Sequence, residues 1–396
     1  MTRFAVPAPH RLLAAFVAAI AAAPAVAQPL PTPHLALGAD VQTVFQWSRD
    51  ACDQYDFPDS PARVFRSADG ALRVIAAHMS ARVMSGPDLE RLRRDCRIAH
   101  AGRRNDDPGA FDDRAWILSP YTLDGRTVYA LIHNEFHGNL RPALCPSRNY
   151  QRCWANAITF AVSRDGGATF ARPPGDAVVM ALPYRYEGEI GARVGYFNPS
   201  NIVEHEGFYY ALVFTTAYRD QQAGVCLIRT DRLDDPKSWR GWDGRGFSVR
   251  FVDPYRERVE DPRAHVCAPV GREALQSSVS LVRHVESGLW IATMTANRPP
   301  QRGGRPVSGI YASVSRDLIT WSVPTLVRAM PTFGRFACED RYSVGYPALV
   351  DPQSTTRNFE SFGGTGWLYM SRFNLRDCRI GTDRDLVRVA VSLTLQ

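Results

Sequence analysis

A glycine-bearing turn between two short apolar strands recurs five times along this chain, and this repeat restricts the fold more than any other sequence feature. In each copy an apolar strand leads into the turn and an alternating strand follows it. The first two turns stand roughly 55 residues apart and the later ones roughly 80. The turn glycines are Gly70, Gly125, Gly207, Gly288 and Gly366. Such a repeat indicates similar units, each too small to bury both of its own faces.

The segments around these turns have the short, alternating pattern of β-strands. Strands are predicted upstream at Ala62–Phe65, Ala115–Leu118, Ser200–Val203, Val279–Val282 and Pro347–Val350. Further strands are predicted downstream at Ala157–Val162, Val225–Arg229, Ile310–Val314 and Leu386–Val391. Only Asp88–Asp95 has a pattern that suits an amphipathic helix. Units of four antiparallel strands favour an all-β, five-bladed β-propeller, with six blades as the alternative. The blades are predicted to begin near residues 60, 113, 198, 276 and 345.

The N-terminus has the features of a cleavable signal peptide. Arg3 and Arg11 precede an apolar stretch, Leu12–Ala23, and small residues end at Ala27. The apolar stretch is short for a membrane span, which disfavours the alternative of a retained anchor. We therefore predict cleavage before Gln28 and a periplasmic or secreted mature protein without a membrane span. The predicted organisation is a leader at 1–27, a Pro-rich lead-in at 28–39 and one propeller domain at 40–396.

An even number of cysteines suits an oxidising compartment. Cys145 and Cys153 bracket a short segment, CPSRNYQRC, and are predicted to pair locally. The other six are predicted to pair in chain order. These pairs are Cys52–Cys96, Cys226–Cys267 and Cys338–Cys378.

The net charge of +7 does not indicate a nucleic-acid-binding protein. Lys237 is the only lysine, and the arginines are scattered among acidic residues instead of forming a stripe. The sequence also lacks G-x-S-x-G, H-E-x-x-H, P-loop and dinucleotide-binding motifs. These observations exclude several common enzyme classes and leave anionic small ligands open.

Three turns provide a second signal for the fold. Ser163–Phe170, with the sequence SRDGGATF, resembles the Asp-box of sialidase-type propellers. Ser315–Trp321 and Asp234–Trp239 are related turns in later units. The S-x-D-L-x-x-W form of the second turn is also similar to turns in five-bladed glycosidases of the arabinanase/β-xylosidase type. This resemblance implies that Asp165 and Asp317 are structural and that the fold is that of a carbohydrate-active propeller.

Propeller geometry predicts where a site would lie. The start of the first strand and the end of the second strand of each blade meet at one mouth of the central channel. Polar residues are concentrated at these positions. They are Asp56, Asp59, Arg63, His78, Asp112, Asp113, His133, Glu135, His137, Asn198, Asn201, Gln276, Tyr346 and Arg372.

The segment from Thr127 to His137 is the most informative part of this set. Because side chains alternate along a strand, His133, Glu135 and His137 share one face. The corresponding positions in later blades are apolar or small. The three residues therefore indicate a site, although a hydrogen-bonded cluster that braces the channel is the alternative. The His-x-Glu-x-His pattern would also suit a divalent metal such as Ca²⁺, but no cofactor is required by the sequence.

Glycoside hydrolysis needs one protonated carboxyl and one ionised carboxylate. We predict Asp59 as base or nucleophile, Glu135 as acid and Asp113 as a modulator; for a single aspartate, a turn cap is the alternative.

The residues predicted to bind substrate are Arg63, His78, His133, His137, Asn198, Asn201, Gln276, Tyr346 and Arg372. Arg63 resembles the first arginine of sialidases, although a complete triad is not assigned; Arg193, Arg263 and Arg341 are also available. The aromatic residues that could stack on sugars are Trp116, Tyr150, Trp154 and Tyr196, although core positions would give the same pattern.

The sequence thus favours a monomeric glycoside hydrolase acting on a polysaccharide or oligosaccharide. Acidic sugars and furanoses are the candidate sugar units of that substrate. Two alternatives remain open: a non-catalytic sugar-binding propeller and a metal-stabilised surface scaffold.

Overall fold

The computed structural model describes residues 29–271, 273–300 and 303–396, together with positions 1, 2 and 5. Apart from those three positions, the leader predicted at 1–27 lies outside the described residues. The only α-helix among the described residues is one short turn, α1, at Trp47–Asp50. Within the described ranges, no helix has the length and apolar character needed to cross a bilayer. The described chain is therefore almost entirely β-structure, as predicted.

In chain order the strands are β1 (Pro33–Phe45), β2 (Arg63–Arg66), β3 (Leu72–Ile75), β4 (Ser80–Ala81), β5 (Met84–Gly86), β6 (Arg93–Arg94), β7 (His100–Ala101), β8 (Arg114–Thr122), β9 (Val128–His137), β10 (Trp154–Ser163), β11 (Val178–Met180), β12 (Val194–Phe197), β13 (Val203–His205), β14 (Phe208–Thr215), β15 (Gly224–Thr230), β16 (Arg240–Gly241), β17 (Val249–Arg250), β18 (Ser280–His284), β19 (Trp290–Arg298), β20 (Val307–Ser315), β21 (Thr325–Ala329), β22 (Tyr342–Val350), β23 (Ser361–Phe362), β24 (Thr365–Arg376) and β25 (Arg379–Leu395). Short 3₁₀ turns lie at Pro108–Ala110, Gly138–Leu140, Gln151–Cys153, Pro236–Ser238 and Pro262–His265.

Most strands fall into consecutive antiparallel groups. The first group is β2-β3-β5-β6, the second β8-β9-β10-β11, the third β12-β14-β15-β16-β17, the fourth β18-β19-β20-β21 and the fifth β22-β24-β25-β1. A parallel pairing of β10 with β12 joins the second and third groups into one larger sheet. The first strand of the chain, β1, pairs with the last, β25, so that both ends of the described fold lie in the fifth group.

The repeated glycine turns lie directly before the second long strand of each group. Gly70, Gly125, Gly207 and Gly288 all adopt positive φ, a conformation that glycine tolerates without a Cβ clash. The fifth prediction was shifted by two residues. Gly364 takes the positive φ, whereas Gly366 lies within β24.

Three other sequence predictions differ from the structure. Ser200–Val203 was predicted as a strand, but the third group begins earlier with Val194–Phe197, and only β13 starts at Val203. Residues 33–39, predicted as lead-in, belong to β1. Asp88–Asp95 is not helical, because Asp88 accepts backbone hydrogen bonds from Glu90 and Arg91 and so forms a turn before β6.

Segments near the first strand of every group line one small internal space. They are Ala62–Val64, Pro120, Asn201–Ile202, Ser280–Leu281 and Ala348–Val350. Larger apolar clusters lie between neighbouring groups; one of them joins Ile75 and Val83 of the first group to Ile117 and Ile132 of the second. Burial of both faces of each group by its neighbours is the arrangement that the repeat predicts.

All four predicted disulfides are confirmed. Cys52–Cys96, Cys145–Cys153, Cys226–Cys267 and Cys338–Cys378 have Cα separations of 5.5, 6.1, 5.9 and 4.5 Å. Chain-order pairing follows because each bridge closes a local segment.

Asp165 organises the turn that follows β10. Its Oδ1 accepts hydrogen bonds from the backbone amides of Ala168 and Thr169, and its Oδ2 accepts one from the Thr169 hydroxyl at 2.6 Å. Ser163 donates to the same carboxylate. Asp317 binds the amides of Ile319 and Thr320 in the same way. The carboxylates thus satisfy backbone donors that would otherwise lack partners.

We expect Asp165→Asn to destabilise the protein by about 1 kcal/mol, because the amide cannot accept this full set of hydrogen bonds. Thermal unfolding measures the effect, with Glu286→Gln, at an exposed position, as the matched control. An unchanged melting temperature for Asp165→Asn would contradict a capping role.

Candidate active site

One polar pocket of about 420 Å³ receives residues from all five strand groups or from the loops that precede them. Its walls are formed by Asp59, His78, Arg114, Trp116, His133, Glu135, His137, Tyr150, Trp154, Arg193, Phe197, Asn198, Gln276, Ser277, Ser278, Thr295, Phe333, Gly345, Tyr346 and Arg384. This composition combines carboxyl, imidazole, guanidinium and aromatic groups.

Strand register explains how the central residues come together. Glu135 of β9 lies opposite Arg114 of β8 and Asn156 of β10. Directly paired residues on antiparallel strands point to the same face of a sheet. The neighbouring pairs, His133 with Trp116 and His137 with Trp154, therefore extend the same polar face. The alternation predicted for His133, Glu135 and His137 is confirmed.

Glu135 lies between the two histidines. Its Oε2 is 2.6 Å from Nε2 of His137, and its Oε1 is 3.7 Å from Nε2 of His133. The side chain of Glu135 is only 9% exposed. Trp154 Nε1 can only donate, so the atom of Asn156 that it contacts is the amide oxygen, Oδ1. His133 Nε2 contacts the same oxygen and must therefore carry a proton in order to donate to it.

Burial determines the protonation of this cluster. It raises the pKa of Glu135 to about 7, and the charge of Asp59 adds to the rise, while His133, Arg114 and Arg193 oppose it. Burial also lowers the pKa of His133, and it lowers that of His137 to about 3 with a further contribution from Arg114. A protonated glutamic acid therefore lies beside two neutral imidazoles in mildly acidic solution.

Asp59 occupies a different environment in the same pocket. Its Oδ1 binds Arg384 and accepts a 3.3 Å hydrogen bond from the Tyr346 hydroxyl. Its Oδ2 accepts from Trp116 Nε1 at 3.3 Å and lies 4.0 Å from Nε2 of His78. A guanidinium and two hydrogen-bond donors favour the charged form of a carboxyl group.

Trp116 and His133 lie between the two carboxyl groups. Trp116 donates to Asp59, and its ring centroid is 5.8 Å from that of His133, which neighbours Glu135. Burial lowers the pKa of His78 to about 4, so the imidazole beside Asp59 is neutral, like those of His133 and His137. The pocket thus holds one carboxyl group paired with a guanidinium, Asp59, and one whose acid form is favoured by burial, Glu135.

An aromatic wall borders Glu135 and His137. Tyr150 stacks on Trp154 with ring centroids 4.6 Å apart, and it lies 4.9 Å from the ring of His137. The Cys145–Cys153 disulfide closes the loop that carries Tyr150. Stacked, partly exposed rings are suitable surfaces for the apolar faces of sugars.

Three residues of the pocket wall have a strained backbone. Asn198, Ser278 and Tyr346 line the pocket with φ values of 45°, 60° and 59°. Positive φ is costly for residues with a side chain, above all for bulky ones. These residues lie near the first strands of three different groups, where the chain turns its side chains into the pocket.

Eight of the predicted site residues line this pocket. They are Asp59, His78, His133, Glu135, His137, Asn198, Gln276 and Tyr346. The start of the first strand of each group lies beside the end of the second strand. This geometry explains why residues so distant in sequence meet in one pocket.

Four predicted residues are used elsewhere. Asp113 lies behind the pocket, where its Oδ2 accepts from the His137 amide and from Arg141. Arg372 pairs with Asp385 at 2.7 Å. Asn201 exchanges hydrogen bonds with the backbone of Leu281 and so joins two groups.

Arg63 lies in the small internal space between the groups and does not line the pocket. It is 4% exposed and donates to Leu118 O and Ser280 Oγ, both at 2.8 Å. Burial lowers its pKa to about 9. With its donors occupied by the protein, Arg63 braces the inner strands, and the substrate-binding role expected from the sequence does not fit this position. Tyr196, a candidate for either sugar stacking or the core, is fully buried, and its hydroxyl donates to Gln221.

Arg114 and Arg384 are the main pocket residues that sequence reasoning missed. Arg114 could have been found, because it begins β8 and directly follows Asp113 at a predicted mouth position. Arg384 has no such signal, since it reaches Asp59 from the hairpin of β24 and β25.

The positions of candidate donor atoms bear on whether the histidine cluster could hold a metal ion. Among the described residues, the only three candidate ligands whose donor atoms lie within 4.8 Å of one another are Cys145, Cys153 and Glu189. Two of these form a disulfide, so they do not fit a metal ion. His133, Glu135 and His137 do not converge as a set in this way.

Comparison with known proteins gives distant structural similarity alone. No family model and no curated protein matches this sequence. The chain is similar to the catalytic domain of a GH62 alpha-L-arabinofuranosidase from Coprinopsis cinerea, with 8% identity, a TM-score of 0.49, and coverage of 91% of this chain and 97% of the other. It is also similar to a thermostable family-43 glycoside hydrolase, with 11% identity, a TM-score of 0.47 and 91% coverage of each chain. The Cellvibrio cellulosa alpha-L-arabinanase has 12% identity, a TM-score of 0.46, and coverage of 84% and 91%. At these low scores we infer no activity from the similarity, and function is inferred from the pocket residues.

Proposed function

We propose that this chain is a secreted or periplasmic glycoside hydrolase with a five-bladed β-propeller fold. The five antiparallel groups, which all contribute to one pocket and one internal space, support five blades. Four disulfides and the signal-like N-terminus support export. The turns at Asp165 and Asp317 support a relation to Asp-box propellers.

The observation that carries the proposed activity is the difference between Glu135 and Asp59 in one pocket. Glycosidases need an acid that holds its proton and a carboxylate that has lost it. Burial favours the proton on Glu135, whereas Asp59 is paired with the guanidinium of Arg384. Titratable groups with opposed environments are the usual sign of acid and base roles.

In the proposed reaction, the carboxyl proton of Glu135 moves to the glycosidic oxygen as the bond from that oxygen to the anomeric carbon breaks. Asp59 either removes a proton from the attacking water or adds to the anomeric carbon before water replaces it. Both routes consume one water and release two sugar hydroxyl groups. The hydrogen bond between His137 Nε2 and Glu135 keeps the carboxyl group oriented, and Asp113 accepts from the His137 backbone amide.

The test is hydrolysis of a glycan library by purified wild-type protein, measured as new reducing ends. We expect cleavage of at least one glycan, and proton NMR of the first product distinguishes the inverting from the retaining route. Binding of a glycan without cleavage would instead support the non-catalytic sugar-binding propeller.

A further inference from the structure

Two arginines in the pocket lack an ion-pair partner in the described part of the chain. Among the described residues, neither Arg114 nor Arg193 forms an ion pair within 4.0 Å. In contrast, Arg384 in the same pocket is paired with Asp59. The pocket therefore carries positive charge that its own side chains leave unbalanced.

Arg114 is held close to Glu135 by strand register. The two residues are direct partners on β8 and β9, and Arg114 counteracts the rise in the pKa of Glu135. Its Nε is buried and has no hydrogen-bond partner among the described residues. Burial lowers the pKa of Arg114, and the charge of Arg104 adds to this effect, while Asp113 and Glu135 oppose it. A buried donor without a partner needs an explanation, and a ligand is one.

Arg193 lies on the other side of the polar face. It immediately precedes β12, which runs parallel to β10 beside Ala155 and Asn156. Its guanidinium carbon is 5.4 Å from the ring centroid of Trp154 and 5.2 Å from that of Phe197. These aromatic faces hold the plane of the guanidinium and leave its N–H groups free to bind an anion.

We propose that the pocket recognises a sugar residue bearing one negative charge, a carboxylate or a sulfate ester, through Arg114 and Arg193. This inference rests on the proposed carbohydrate function of the same pocket. Two guanidinium groups on either side of Glu135 and Trp154 would bind the charged group while the sugar ring stacks on Trp154 or Tyr150. Because Arg384 already pairs with Asp59, an anionic substrate can approach this carboxylate.

The test is binding to an array of oligosaccharides in three matched sets: neutral, uronate-bearing and sulfate-bearing. We expect one anionic set to bind at least about tenfold more tightly than its neutral counterpart, with affinity falling as salt rises. Calorimetry with the best anionic glycan and its neutral form gives the ratio. The preferred set distinguishes a carboxylate from a sulfate ester.

Arg114→Gln and Arg193→Gln are each expected to reduce anionic binding at least about tenfold, and so to lower the ratio of anionic to neutral binding. The matched control is Arg229→Gln. Arg229 also lies over two aromatic rings, those of Phe208 and Phe247, but outside this pocket. Binding by the control should equal that of the wild type.

The outcomes separate this inference from the proposed hydrolysis. Equal binding of neutral and anionic glycans, unaffected by either arginine variant, would overturn the inference while leaving hydrolysis standing. Arginine-dependent anionic binding without cleavage would support the inference and overturn hydrolysis. Failure of all three sets to bind would contradict both.

Discussion

Glu135→Gln is expected to reduce hydrolysis at least about 10²- to 10⁴-fold, the usual effect of losing a required general acid. Glutamine keeps the shape of the side chain and can still accept from His137, but it has no acidic proton to give to the leaving oxygen. Because burial already favours the uncharged form of Glu135, an uncharged amide should leave the fold intact. Initial rates on a cleaved glycan, with circular dichroism as a check of folding, measure the effect.

Glu360→Gln is the matched control for this variant. Burial raises the pKa of Glu360 to about 7 as well, yet Glu360 lies outside the pocket and accepts from Tyr121 and the Glu204 amide. The control should retain wild-type turnover. Full turnover by Glu135→Gln would remove Glu135 from the acid role, and loss of folding in that variant would favour a bracing cluster.

Asp59→Asn is expected to reduce hydrolysis by a similar factor, about 10²- to 10⁴-fold. Asparagine can still accept from Trp116, but it can neither take a proton from water nor attack the anomeric carbon. The change also leaves Arg384 without its carboxylate partner in the pocket. Because the loss of the ion pair with Arg384 also affects the folded structure around it, the rate should be compared per folded molecule.

Asp56→Asn separates catalysis from the loss of a buried ion pair. Asp56 is 2% exposed, is paired with Arg94 and lies three positions before Asp59. Its substitution should lower the melting temperature and leave the turnover of the folded fraction nearly unchanged. Equal losses of turnover in Asp56→Asn and Asp59→Asn would indicate that Asp59 is structural.

Sequence periodicity predicted those features that depend on local alternation. Four of the five turn glycines, the all-β class and the shared face of His133, Glu135 and His137 follow from the two-residue period of a strand. The disulfides followed for a related reason, since each joins segments that are near in sequence. Hence the position of Glu135 between two histidines was predictable from the sequence.

Features that depend on long-range packing were not predictable in this way. Arg63 occupies an inner strand as expected, but the sequence could not show that backbone carbonyls from other groups would occupy its donors. Arg384 reaches Asp59 across 325 positions of sequence. The protonation of Glu135 also depends on burial by several groups together, and no single motif contains that information.

The measurement that tests the account most directly is the pH dependence of kcat/KM for the wild-type protein on a cleaved glycan. This quantity reports the ionisation of essential groups in the free enzyme. Because the acid must hold its proton, and the pKa of Glu135 is raised to about 7, activity should be lost as the pH rises through that value. We predict a fall of about tenfold per pH unit above about pH 7. A rate that stays level from pH 7 to pH 9, or that already falls near pH 4.5, the ordinary range of a glutamic acid, would contradict the assignment of Glu135 as the acid.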